Sequence, residues 1–105
     1  MIVFYNAVNA LRQQLTPDVR IHGIITHGGD APNIIPEYTK ARFYIRANTI
    51  QVCEEVTERV IKAAEGAALS TGCELKYTTY QNIVEDLIVY PKFNELFTKV
   101  ATDLG

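Results

Sequence analysis

The 105-residue sequence predicts an α+β domain, with helices gathered on one face of an antiparallel sheet. Three observations carry this. Apolar residues recur at helical spacing in three separate stretches. Shorter stretches alternate apolar and polar residues, or run rich in branched side chains, as half-buried strands do. The order that results is helix, strand, strand, helix, strand, helix, with no internal repeat and no low-complexity segment.

The first helix is marked by Phe4, Val8, Leu11 and Leu15, one apolar face at steps of four, three and four. Asn6, Asn9, Arg12 and Gln13 form its polar side. It should stop before Thr16-Pro17, since the residue before a proline avoids helical geometry. No side chain at its start can cap it, so the chain reads as beginning inside a helix or loop. Arg20 to His27 (RIHGIITH) is a strand, broken by Gly28-Gly29. Ala41, Phe43 and Ile45 alternate with Arg42, Tyr44 and Arg46, giving a second strand with one apolar face. Pro32 and Pro36 keep the link between them out of any central strand.

Asn48 is a candidate cap for the second helix, with Gln51 three residues on in a capping-box arrangement. Ile50, Cys53, Val56, Val60, Ala64 and Ala67 form its apolar face, Glu54, Glu55, Glu58, Arg59 and Lys62 its wet one, and Gly72 its stop. Cys73, Leu75 and Tyr77 then alternate with Glu74, Lys76 and Thr78, which predicts a third strand. Ile83 to Tyr90 reads as strand or loop. Pro91 opens a last helix striped by Phe93, Leu96, Phe97, Val100 and Leu104.

Composition excludes several functions. No apolar run is long enough to span a bilayer, and the apolar N-terminus lacks a basic leader and a small-residue cleavage site, so a cytoplasmic protein is expected. Net charge is −2 and the ten basic residues are scattered, which argues against nucleic acid as a partner. Cys53 and Cys73 fall on apolar sides and read as buried thiols. One serine, Ser70, and no GxSxG motif rule out a serine hydrolase, despite the lipase-like HGGD at His27–Asp30.

Few residues remain for chemistry. His22 and His27 are five apart on one strand, an odd offset that sends them to opposite faces unless the strand bulges, so no metal set is expected with Asp30. His27, beside the glycine turn, is either a hydrogen-bonded turn residue or a substrate contact. Arg46 ends a strand near a helix start, where its planar fork can hold a carboxylate at two points. Asn33, in the proline-braced link, offers an amide donor and acceptor.

The stretch GGDAPNIIPEYTKARFYIRA carries a resemblance. It is similar to the lid, or dimerisation, domain of the zinc-dependent superfamily of aminoacylases, carboxypeptidase G, p-aminobenzoyl-glutamate hydrolase and related dipeptidases. The pattern there is a strand, G-G-x-x-P-N-x-I-P, and a strand ending in (Y/F)-x-R-A. Here these are Gly28-Gly29, Pro32-Asn33, Ile35-Pro36 and Tyr44-Ile45-Arg46-Ala47. AAEGAALSTGCELKY, Ala63 to Tyr77, resembles the amidohydrolase branch.

The resemblance implies a ferredoxin-like βαββαβ sheet with both helices on one face. Here the first strand is missing and a C-terminal helix is added. Residues 1–90 would be a lid truncated at its N-terminus, and 91–105 the start of the helix returning to an absent catalytic domain. It also implies a homodimer formed through the lids, and a small-molecule substrate whose carboxylate Asn33 and Arg46 hold. Zinc or another divalent metal, and the glutamate base, would belong to the catalytic domain. The chain itself would be non-catalytic, part of a metal-dependent amidohydrolase acting on N-acyl amino acids or dipeptides. A stand-alone module that senses a small molecule or binds a protein is the other reading. Without the first strand, Cys73–Tyr80 would lack a partner, and either a second chain or Ile83–Tyr90 would fill the gap.

Overall fold

The computed structural model describes residues 1–105 and contains α1 (Ile2–Arg12), β1 (Arg20–His27), β2 (Lys40–Arg46), α2 (Ile50–Thr71) and α3 (Pro91–Leu104). The fold is α+β, as the patterning predicts, with β1 and β2 paired antiparallel in a two-stranded sheet. Both first helices lie on the same face of that hairpin. Val8 of α1, Val19, Ile21 of β1, and Val56 and Val60 of α2 form one buried cluster. Phe4, Leu11, Leu15, Phe43, Ile45 and Val52 close around it. Val8 is fully buried, which matches its place at the centre of the apolar stripe of α1.

The register explains the packing. Ile21 sits opposite Ile45, Gly23 opposite Phe43 and Ile25 opposite Ala41, all on the helix-covered face. Gly23 is small for a reason. The Phe43 ring lies over it, held on its other side by Phe4 at 5.1 Å and Tyr5 at 5.3 Å between centroids. A β-carbon at Gly23 would fall inside that ring's contact radius.

The helix ends follow local chemistry, with one correction. Thr49, not Asn48, is the cap of α2. Its extended backbone (φ −131°) lets the side chain accept from the Val52 amide at 3.4 Å. The Asn48 backbone N–H donates to Asp18 Oδ2 at 3.3 Å, and the helix starts one residue later than the Asn48 cap would place it. Gly72 ends α2 in the left-handed conformation (φ 68°), where a β-carbon would be strained. Pro91 opens α3 at its first turn, where the missing N–H is harmless.

Three further expectations are corrected beyond Gly72. Cys73–Tyr80 is not a strand: an alternating pattern makes a ladder only beside a neighbour, and neither β1 nor β2 pairs with it. Ile83–Tyr90 does not fill the gap, for it also stays outside the sheet. Cys73 is exposed, because the strand meant to bury it does not form, whereas Cys53 is half-buried with its thiol donating to the Ile45 carbonyl. The connector is tied down at two points. Tyr80 stacks near Tyr44 (5.9 Å) and under the Arg42 guanidinium (5.6 Å), and Asp86 Oδ1 accepts from the Ile50 amide at 3.0 Å. Beyond it α3 keeps its apolar stripe uncovered, with Phe93 and Phe97 each 68% exposed. The result is an elongated molecule, 68 × 27 × 21 Å.

Two substitutions test this packing by denaturant unfolding. Gly23→Ala should lower stability by about 1–3 kcal/mol, because the Phe43 ring is pinned and cannot yield. Tyr5→Phe should cost nothing or raise stability by up to about 1 kcal/mol. The Tyr5 hydroxyl is out of reach of water and has no hydrogen-bond partner, so its removal ends a desolvation penalty.

Candidate functional site

The residues singled out in the sequence lie at the two ends of the β1–β2 hairpin. At one end is the link of residues 28–39. Gly29 takes a positive φ of 134° and packs under the Pro36 ring, which closes the link on itself. The Ile34 amide donates to the Ala31 carbonyl at 3.2 Å, a turn that holds Asn33 exposed at its tip. Gly-Gly and proline therefore brace Asn33, as their composition implies. His27 stands at the base of this link, its Nε2 3.8 Å from Asp30 Oδ1 and its ring 5.7 Å from that of Tyr38. That separation is an ion pair when the imidazole is protonated, and is too long for a hydrogen bond.

The strand bulges at Thr26. Ile25 pairs with Ala41 but His27 pairs with Lys40, so one residue of β1 is extra. Thr26 uses its hydroxyl to donate to the Lys40 carbonyl at 3.3 Å. The bulge returns His27 to the same register face as His22, which the bare odd offset would forbid. The two still do not meet. His22 pairs with Tyr44, four residues along β2 from Lys40, which is about 13 Å at strand rise. No group of three or more histidine, cysteine or acidic side chains is arranged to hold a metal ion. This chain's donor set does not fit one.

At the other end of the hairpin Arg46 closes β2, exposed and opposite Arg20. Asn33 and Arg46 are not brought together. The link departs from the Lys40 end, and Arg46 is six residues further on, about 20 Å away. The exposed face of the sheet carries Arg20, His22 and Ile24 from β1 with Arg42, Tyr44 and Arg46 from β2. Tyr80 covers part of this face, and burial together with a hydrogen bond to Tyr44 raises its pKa. Strand alternation alone places Arg42, Tyr44 and Arg46 together. It gives no sign of Arg20, because cross-strand pairing depends on register.

Asp18 fixes this end. It accepts from the Thr16 side chain and from the Asn48 amide, and these bonds hold its carboxyl below the ordinary value of 3.8. It thereby joins the turn before β1 to the turn after β2, the two places from which Arg20 and Arg46 emerge. The Ser70 hydroxyl donates to the Ala67 carbonyl at 3.0 Å, and the thiols of Cys53 and Cys73 donate to the carbonyls of Ile45 and Thr71.

The sequence that folds this way has known relatives. Residues 3–71 match the family described as the peptidase dimerisation domain. The chain belongs to that family. The matched span ends where α2 ends, so it contains the packed core and both ends of the hairpin. The chain is 34% identical over 106 aligned positions to the Xaa-Arg dipeptidase of Mus musculus, covering 97% of this chain and 25% of that protein. It is 32% identical to the Xaa-Arg dipeptidase of Homo sapiens, again over 97% of this chain and 24% of that protein. A subunit of the p-aminobenzoyl-glutamate hydrolase of Escherichia coli K12 is 36% identical over 64 residues, 60% of this chain and 13% of that subunit. The chain thus spans about a quarter of the length of the dipeptidases it matches. Peptidases of this family are generally metal-dependent, and its dimerisation domains point to homodimers.

The Asp18 tie makes stability depend on pH with a definite sign. Its folded pKa is depressed, so its contribution is present above the ordinary value and is lost as pH falls through the lower, folded one. Thermal melts between pH 5 and about 2 should show that loss in the wild type and a flatter profile in Asp18→Asn. Identical profiles for the two proteins would remove Asp18 from the account.

Proposed function

We propose that this chain is the dimerisation and substrate-capping part of a metal-dependent amidohydrolase or peptidase that acts on N-acyl amino acids or dipeptides. Zinc or another divalent metal would sit in the parent's catalytic part, where it activates water and polarises the amide carbonyl. The residues of this chain bind and orient. Its free thiols accord with a cytoplasmic setting. The names of the relatives support the reaction class: two are dipeptidases and one is a p-aminobenzoyl-glutamate hydrolase subunit. The family match does not favour a stand-alone sensing or interaction module.

The observation that carries the binding role is Arg46. Its side chain ends β2 exposed, on the face of the sheet away from α1 and α2, and neither ion pair in the protein involves it. A free, planar fork on a rigid strand suits a carboxylate, which accepts two parallel N–H bonds. Asn33 belongs to the same clamp in this reading. The length of the hairpin then requires the Asn33 and the Arg46 that share one carboxylate to come from two lids. A dimer supplies both. His27, at the base of the link, would approach the substrate beside Asn33.

In the intact parent enzyme, Arg46→Ala should lower kcat/KM by about 100-fold, and Arg46→Lys should recover little of it, because a point charge does not replace the fork. Full activity in both variants would defeat the carboxylate role. Sedimentation equilibrium of the chain should show dimers forming with concentration. A strict monomer at millimolar concentration would count against pairing of lids.

A further inference from the structure

The end of the hairpin holds more positive charge than one substrate arginine explains. Arg20 and Arg46 are directly opposite in the ladder and share its exposed face. Residues so placed have β-carbons about 5 Å apart, and like charges there repel. Such a pair persists where something offsets the repulsion, yet no carboxylate forms an ion pair with either guanidinium. The ion pairs in the protein are Lys76–Glu74 and, when the imidazole is protonated, His27–Asp30. Asp18 draws Arg20 weakly, but its Oδ2 is taken by the Asn48 amide.

The two side chains are held differently. Arg20 directs one nitrogen, Nη1, to the carbonyls of Pro17 and Val19, the latter at 2.8 Å. This steadies the guanidinium against the turn and leaves Nε and Nη2 as free donors. Arg46 has no hydrogen bond within the protein, so its whole fork is open. Two arginines rooted opposite each other in the ladder, with β-carbons about 5 Å apart, are placed so that one bound carboxylate can accept from both.

We propose that Arg20 and Arg46 form a paired-guanidinium site for the carboxylate of a small acyl amino acid, with Arg20 as a further donor in the clamp made by Arg46 and Asn33. This rests on the reading that Arg46 binds the substrate carboxylate. It adds a binding residue and a preference: an anionic ligand end gains two charge-assisted contacts, and a cationic group placed there meets two like charges.

The experiment is a titration of the 105-residue chain with N-acetylglycine at fixed ionic strength, followed through the arginine Nε–H resonances by NMR. The Arg20 and Arg46 signals should move along one curve with a common Kd, while Arg59, on the wet side of α2, stays still. Arg20→Gln keeps a polar side chain at this position but loses the charge, and should weaken binding about fivefold. Arg46→Gln should weaken it at least as much. Movement of Arg46 alone, with wild-type affinity in Arg20→Gln, overturns the pairing and leaves the role of Arg46 intact. If neither signal moves, or Arg46→Gln binds as the wild type does, the underlying reading falls with it. The wild-type shifts decide the matter even if a variant fails to fold.

Discussion

The pairing of β1 with β2 sets where nearly every other residue of interest can be. Ile21, Phe43 and Ile45 must face α1 and α2, because the core has no other apolar layer to offer. A slip of one residue would turn that set to solvent and bury Arg42, Tyr44 and Arg46 against two valine-lined helices. The cost of burying three polar side chains without partners excludes the slip. The core fixes the register from one face, and the register then fixes which side chains stand together on the other. Arg20 beside Arg46, and His22 beside Tyr44, follow from hydrophobic packing on the opposite side of the sheet.

Polar contacts at the strand and helix ends complete what the core begins. Asp18 bridges the entry to β1 and the exit from β2 through the Asn48 backbone N–H, and Thr49 caps α2. Asp86 supplies a carboxylate to the first helical amide, where the helix dipole favours negative charge. These bonds hold the arginine end of the hairpin still. The opposite end is held by other means: the Thr26 bulge, the Gly29–Pro36 contact and the Ala31–Ile34 turn. A binding group on a short, braced link or at a strand end loses little freedom when it meets a ligand.

The molecule divides at Gly72. Before it, every element contributes to one core, and this part coincides with the span matched by the peptidase dimerisation domain family. After it, the apolar side chains of the connector and of α3 are largely uncovered, with Val84 92% exposed and Leu104 82%. Their patterning is as regular as that of α1. The difference is that α1 has a sheet and a second helix to lie against, and α3 has neither.

Much of this is legible in the residues themselves. Period and punctuation locate α1, β1, β2, α2 and α3, since a helical stripe, an alternating run, a glycine stop and a proline start are local properties. Asn33 and Arg46 are legible as a family pattern, and their exposure as strand or loop chemistry. The third strand is misleading because alternation states what a strand would bury, not whether a neighbour exists to pair with it. The cap is ambiguous because Asn48 and Thr49 are both good caps and are adjacent, and only the folded backbone shows that Thr49 is the one that accepts from Val52. The elements, their apolar faces and the braced link are written into the amino-acid order, because each depends on residues within a few positions of one another. The bulge at Thr26, the separation of Asn33 from Arg46 and the place of Arg20 opposite Arg46 emerge only once the chain is packed. Each of these depends on register, and register is set by contacts between residues far apart in the chain.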